Sequence, residues 1–247
     1  MTVLLAAVQF LLVSPAFVRR PFTAQELGRS TAFYPLVGLL LGALLVAADS
    51  VLHFVLPVGV RSALVLALWM ILTGALHFDG FLDTCDGLLG AGTPQRRMEI
   101  MRDERTGAFA LAAGVLILLI MFTSLDSLGA VRWAALLLAP VLGRWGMTIA
   151  VVALPYARTA GLGRDIKEHT HAAEATIATI IVLLVVAALS WSLRGVTPLA
   201  ALACAALMLW LSTRYVLSRI PGMTGDTYGA VNTLIEAAVL LTFVAVA

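Results

Sequence analysis

Charge is scarce in this chain. Of its 247 residues, 12% are charged and 61% are hydrophobic, against about 25% charged in an ordinary soluble domain. That shortage excludes a soluble globular domain and leaves an integral membrane protein, as the mean hydropathy of +1.01 agrees. Cysteine is scarce too. Cys85 and Cys204 alone exclude a disulfide framework, and Cys204, inside an apolar segment, reads as a small packing residue. No basic residue precedes the first apolar run, MTVLLAAVQFLLVSPAFVRR, and its arginines follow it, which is not the order of a cleaved signal. The run also falls short of the roughly 18 apolar residues that spanning needs, so a short interfacial or re-entrant helix is expected. No internal repeat, low-complexity tract or composition shift divides the chain. One integral-membrane domain over 1–247 is expected.

What is present is length and apolarity. Seven segments can span a bilayer, at approximately 33–55, 61–78, 108–125, 132–154, 173–193, 196–213 and 229–247. Their backbone groups can be satisfied in lipid only as helices, so the expected fold is an all-α polytopic bundle. Orientation follows the basic residues. Alternate connections carry twelve of them: Arg19, Arg20, Arg29, Arg96, Arg97, Arg102, Arg105, Arg158, Arg164, Lys167, Arg214 and Arg219. The other connections carry three, Arg61, Arg132 and Arg194. The expected topology is multi-pass in the cytoplasmic (inner) membrane, with the N-terminus and every long polar loop in the cytoplasm and the C-terminus outside.

The polar residues gather in one stretch, TGALHFDGFLDTCDGLLGAGTPQRRMEIMRDERTG, from Thr73 to Gly107. It holds six of the fourteen acids and four of the sixteen basic residues. Asp79, Asp83 and Asp86 are spaced i, i+4, i+7 and fall on one helix face. Hard carboxylate oxygens at a helix end suit Mg²⁺ or Mn²⁺ holding a phosphorylated substrate. Gly80 and Gly87 remove side-chain bulk where a phosphate must come close. The plainer reading is a solvated helix end paired with nearby arginines. His77 is a candidate base or substrate contact, or simply a hydrogen-bonded interfacial histidine.

RRMEIMRDER (Arg96 to Arg105) reads as a short amphipathic helix. Arg96, Arg102 and Arg105 suit phosphates, while Glu99 and Asp103, at i, i+4, can join a metal site or orient those arginines. Positive-inside bias and helix pairing explain the same pattern. Asp49 and Arg144 lie within apolar segments and are functional candidates by their cost there; the alternative for Arg144 is an internal salt bridge to Asp49 or Glu236. In IPGMTGDTYGAVNTLIE, Asp226 and Thr227 can cap the last helix and aim its N–H groups, with Gly225, at a phosphate. Gly38-x-x-x-Gly42 is a structural close-packing signal.

Together these residues resemble the cobalamin synthase (adenosylcobinamide-GDP ribazoletransferase) family. The resemblance lies in Gly74, His77-Phe-Asp79-Gly80, Asp83-Thr84-Cys85-Asp86-Gly87, Glu99-Ile-Met-Arg102-Asp103 and Arg105-x-Gly107. Phe33-Tyr-Pro35-Leu-Val-Gly38, Arg144, Thr224-Gly225-Asp226-Thr227, Gly229-Ala230, Asn232 and Glu236 extend it over essentially the whole chain. Two features depart from it. Phe10 is followed by Leu11-Leu12-Val13-Ser14-Pro15 rather than a Thr-Arg-x-Pro, and Tyr228 stands where Leu is usual.

The resemblance implies attack of a hydroxyl of α-ribazole, or of its 5′-phosphate, on the cobinamide-side phosphoryl of adenosylcobinamide-GDP, with release of GMP. It implies Mg²⁺, which the spacing places on Asp79, Asp83 and Asp86; the catalytic candidates are His77, Asp83, Arg102 and Asp103, with the base either a carboxylate or His77. Substrate contacts are expected from Arg96, Arg105, Arg144, Gly225, Asp226 and Thr227. The expected partners are these small molecules and the lipid bilayer, with no nucleic acid and with a homo-oligomer allowed. Rival classes fit less well. A CDP-alcohol phosphotransferase expects a further Ala-Arg pair and a downstream Gly-x-x-x-Asp-x-x-x-Asp. A prenyltransferase expects two aspartate-rich loops. A transporter spreads ionisable residues over the midplane, where only Arg144 clearly lies.

Overall fold

The structure, a computed structural model, describes residues 1–103 and 105–246. Its helices are α1 (Thr2–Leu11), α2 (Ala24–Ser30), α3 (Tyr34–Leu52), α4 (Val58–Leu72), α5 (Leu76–Leu89), α6 (Pro94–Ile100), α7 (Ala108–Ser127), α8 (Arg132–Ala153), α9 (Leu162–Glu168), α10 (Ala172–Leu193), α11 (Thr197–Leu217) and α12 (Gly225–Val246). No strand occurs among the described residues; a single bridge joins Tyr156 to Met223. Six helical stretches are long and apolar enough to cross a membrane, and the α4–α5 pair makes a seventh if counted as one span.

The span expected at 61–78 is broken. Gly74 and Ala75 both adopt left-handed backbone, at φ +57° and +53°. Alanine there costs roughly 1–2 kcal/mol, which the surrounding packing sustains. The chain bends by 89° between α4 and α5, so His77 and Phe78 open a second helix instead of closing the first. Apolarity alone gave no warning, since the residues on both sides of the turn are hydrophobic. α4 has 15 residues, about 22 Å of helix against a hydrocarbon layer of about 30 Å. The last span begins at Gly225 rather than 229; its expected end, residue 247, lies outside the described residues.

The short N-terminal helix is present as α1, 10 residues long. It buries Ala6, Ala7 and Leu11 completely, and just beyond it the Val13 amide donates to the Leu72 carbonyl at 2.8 Å, tying the N-terminus to the α4–α5 break. At the centre α8 packs between α3 and α12. A Cβ on Gly38 would collide with the Pro140 carbonyl, and one on Gly42 would lie 2.7 Å from Leu137 Cα. The small-residue pattern therefore lets α3 approach the α8 backbone.

The connections sort onto two ends. At one, Ala157 donates to the Met223 carbonyl (2.8 Å) and Met223 to that of Pro155 (2.8 Å), Thr170 donates to Gly28 (3.1 Å), and Arg158 meets Asp226. At the other, Asp49 accepts from Arg132 Nε (2.9 Å) and lies 3.3 Å from Arg61. Arg132 also bonds Ser62 at 2.9 Å and the Leu125 carbonyl. Asp49 is thus a structural tie between α3, α4 and α8, built from two of the few basic residues at that end. The other ionisable residues expected to do chemistry, Arg144 within α8 apart, lie at the opposite end.

Candidate active site

α5 presents Asp79, Asp83 and Asp86 on its helix, and its C-terminal end is held by its neighbours. Arg97 is buried and donates to the carbonyls of Gly87 (3.1 Å), Leu88 (2.7 Å) and Gly92 (3.1 Å). A guanidinium here satisfies orphan carbonyls and complements the dipole at the end of α5. Asp86 does the converse for α7: its carboxylate accepts from the amides of Gly107 (2.6 Å) and Ala110 (2.8 Å). Those are first-turn donors of α7, so Asp86 is a cap supplied from another helix. The sequence pattern grouped it with Asp79 and Asp83, but it has a structural partner they lack.

The glycines in this stretch face protein. A Cβ on Gly80 would lie 2.8 Å from the Asp226 carbonyl oxygen, and one on Gly87 2.9 Å from that of Arg97. On the facing helix, a Cβ on Gly229 would lie 3.0 Å from the His77 carbonyl oxygen. The expected room for a phosphate at Gly80 and Gly87 is taken by α12 and α6. The close approach brings the start of α12 onto the carboxylate helix.

A cavity of about 330 Å³ lies over this helix, lined by Asp79, Asp83, Asp86, Arg102, Asp103 and Arg105, with Met101 and Thr106. Asp79 is exposed and Asp83 half-buried. α6 stops at Ile100, so Glu99 and Asp103 do not share the expected helix. Glu99 instead pairs with Arg96 at 3.1 Å on the surface, away from the cavity lining. Asp103 is gripped by Arg105 through Nε (2.9 Å), Nη2 (2.7 Å) and the backbone amide (3.1 Å). That guanidinium holds the Asp103 carboxyl down to about 2. Asp103 is therefore ionised and only weakly basic at neutral pH. Arg102 has its side chain exposed and borders both this cavity and a neighbouring one of about 270 Å³ that Arg158 also lines.

The start of α12 differs from the expected cap. Thr224 and Thr227 cap each other: the Thr227 amide donates to the Thr224 hydroxyl (3.2 Å) and the Thr224 amide to that of Thr227 (2.7 Å). Thr227 is fully buried, which removes it from substrate contact. Asp226 sits in the first turn, where the dipole favours an anion, and Arg158 pairs with it at 2.5 Å. The helix start thus already carries its anion, and exposed Gly225 lies beside it. Arg158 was visible in the sequence only as one basic residue in a loop; no spacing signal tied it to Asp226.

A second cavity, about 230 Å³, opens on the other side of Asp79, between α1, α3, α5, α8, α9 and α12. His77 lines it, is 4% exposed, and its Nε2 has no hydrogen-bond partner among the described residues. Arg144 is wholly buried in α8 and binds Glu236 at 2.6 Å and the Pro140 carbonyl at 3.2 Å. It holds α8 to α12 through the internal salt bridge to Glu236, with no side-chain surface open to solvent. Among the described residues no group of three or more His, Cys, Asp or Glu side chains is gathered closely enough to cage a metal ion.

A sequence profile of the family described as Cobalamin-5-phosphate synthase matches residues 3–244. A protein of Stutzerimonas stutzeri named adenosylcobinamide-GDP ribazoletransferase is 42% identical to this chain over 96% of each. Proteins of the same name from Pseudomonas paraeruginosa and Desulforamulus reducens are 41% and 37% identical, covering 96% and 95% of this chain and 96% and 92% of their own. No solved structure matches the chain. With nearly every residue of the bundle and of its carboxylate cavity inside the match, the chain belongs to the Cobalamin-5-phosphate synthase family.

Proposed function

We propose that this chain is an adenosylcobinamide-GDP ribazoletransferase that joins adenosylcobinamide phosphate to α-ribazole or its 5′-phosphate and releases GMP. The observation that carries the site assignment is one cavity lined by Asp79 and Asp83 together with Arg102 and Arg105. It offers carboxylates for a cation and guanidinium groups for phosphate at the same place.

The donor set fits Mg²⁺, or Mn²⁺. Mg²⁺ is usually held by one or two carboxylates with substrate phosphates and water completing its shell, not by an all-protein cage. Asp79 and Asp83 would hold it, and Asp86 would fix the helix that carries them. When bound, the cation supplies charge neutralisation at the diphosphate. Asp83 accepts the proton of the attacking ribazole hydroxyl. The hydroxyl oxygen bonds to the cobinamide-side phosphorus, the bond from that phosphorus to the bridging oxygen breaks, and GMP departs with that oxygen. Arg102 and Arg158, which share the adjoining cavity, meet the charge on the leaving phosphate. Asp103 orients Arg105 toward the diphosphate.

The membrane is the inner membrane, and the end carrying Asp79 and Asp226 faces the cytoplasm. The support is the twelve-to-three division of basic residues between connections. Purified protein in lipid, with adenosylcobinamide-GDP, α-ribazole 5′-phosphate and Mg²⁺, tests the proposal by GMP release and corrinoid product. Mg²⁺-dependent product that is lost in Asp83→Asn supports it. Absence of product from folded wild type overturns it, and CDP-alcohol and prenyl-diphosphate substrates would then be tried.

A further inference from the structure

We propose that the 230 Å³ cavity behind Asp79 is the subsite for the benzimidazole base of α-ribazole. This rests on the transferase reading above and names the substrate moiety that its second cavity takes. Size comes first. A dry cavity of about 150 Å³ holds a benzene ring, so 230 Å³ suits a fused bicyclic base with two methyl groups and is far too small for a corrinoid. The walls come next. Phe10, Met147, Val151 and Ile166 give the cavity apolar faces from α1, α8 and α9, matched to a dimethylated benzo ring.

The polar groups complete the match. His77 and Tyr228 line the cavity and are buried, and the Nε2 of the first and the hydroxyl of the second have no partner among the described residues. Buried polar groups are ordinarily hydrogen-bonded, and an exception calls for an explanation. The base of α-ribazole has one unglycosylated ring nitrogen, an acceptor that either group can satisfy. The exit is also in the right place. Asp79 lines both this cavity and the carboxylate cavity, and Asp226 lines this one. A base seated here puts its ribose hydroxyls at the Asp79 side, facing the diphosphate.

The test separates the two substrates. In lipid-reconstituted protein, Val151→Phe fills the cavity and His77→Leu removes a donor. Each is expected to raise KM for α-ribazole about 10-fold or more, with KM for adenosylcobinamide-GDP unchanged within about two-fold. Val151→Phe should also shift preference toward the riboside of unsubstituted benzimidazole, a ratio that partial misfolding does not move. Equilibrium dialysis of radiolabelled α-ribazole, without turnover, should show binding to wild type that Val151→Phe weakens to the same degree. Unchanged KM, ratio and dialysis would overturn the assignment, as would a rise confined to adenosylcobinamide-GDP. Binding in dialysis with no product from wild type would keep the subsite and remove the transferase reading instead.

Discussion

At the residue scale, three aspartates that look alike in the sequence have different surroundings. Asp79 and Asp83 line the cavity with no ion pair among the described residues, whereas both oxygens of Asp86 accept amides at the start of α7. Asp83→Asn should therefore lower kcat by about 100-fold or more with little change in unfolding midpoint. Asp86→Ala should orphan two amides and destabilise the protein by about 1–2 kcal/mol, read by SDS titration in mixed micelles. Asp103 yields a pH prediction. Its folded pKa is depressed to about 2, so it stays ionised at every pH above that value and supplies no titrating limb near neutrality. Asp103→Asn should lower kcat/KM through loss of Arg105 orientation while leaving the shape of its pH profile between about pH 5 and 9 unchanged; a lost acid limb would make Asp103 the proton acceptor after all.

At the scale of elements, the site exists because α12 lies against α5 with almost no side chain between them. Gly80 and Gly229 face each other's backbones, and Arg144–Glu236 ties α12 to α8 a little deeper. Removing one partner of a buried pair costs about 3–5 kcal/mol because the other charge is left alone. Arg144→Leu should lower the unfolding midpoint accordingly, and Arg144→Leu with Glu236→Leu should recover most of it. Substrate KM values should stay near wild type wherever the variant is folded; a selective rise in one KM would return Arg144 to substrate binding. Gly80→Val should abolish activity by pushing α12 from α5, since its branched carbon would meet the Asp226 backbone and not a flexible side chain.

At the scale of the whole molecule, chemistry and anchoring occupy opposite ends. The Asp49–Arg132–Arg61 cluster closes one end, and carboxylates, arginines and both cavities of the proposed site occupy the other. Single cysteines introduced at Arg96 and at Val196, both exposed, test the orientation in a background lacking Cys85 and Cys204. A membrane-impermeant maleimide added to intact spheroplasts should label the position-196 cysteine and spare the position-96 one until the membrane is opened. The reverse pattern would invert the topology and move the site outside.

Low charge and seven apolar runs fixed an all-α membrane bundle, because lipid offers the backbone no other way to satisfy its polar groups. Spacing fixed which acids share a helix face, because helical periodicity depends only on sequence separation. The sequence also carried the small-residue contact at Gly38 and Gly42. Tertiary structure decided the rest. It broke the second span at Gly74 and Ala75, where two left-handed residues lie inside an otherwise apolar run. It spent Asp86 on α7, moved the α12 cap to Thr224, gave Arg144 to Glu236 and brought Arg158 to Asp226. Each of these is a choice of partner between residues tens of positions apart, or, for Thr224 against Asp226, between neighbours with the same local propensity. Only the packed bundle decides which charge lies within reach of which.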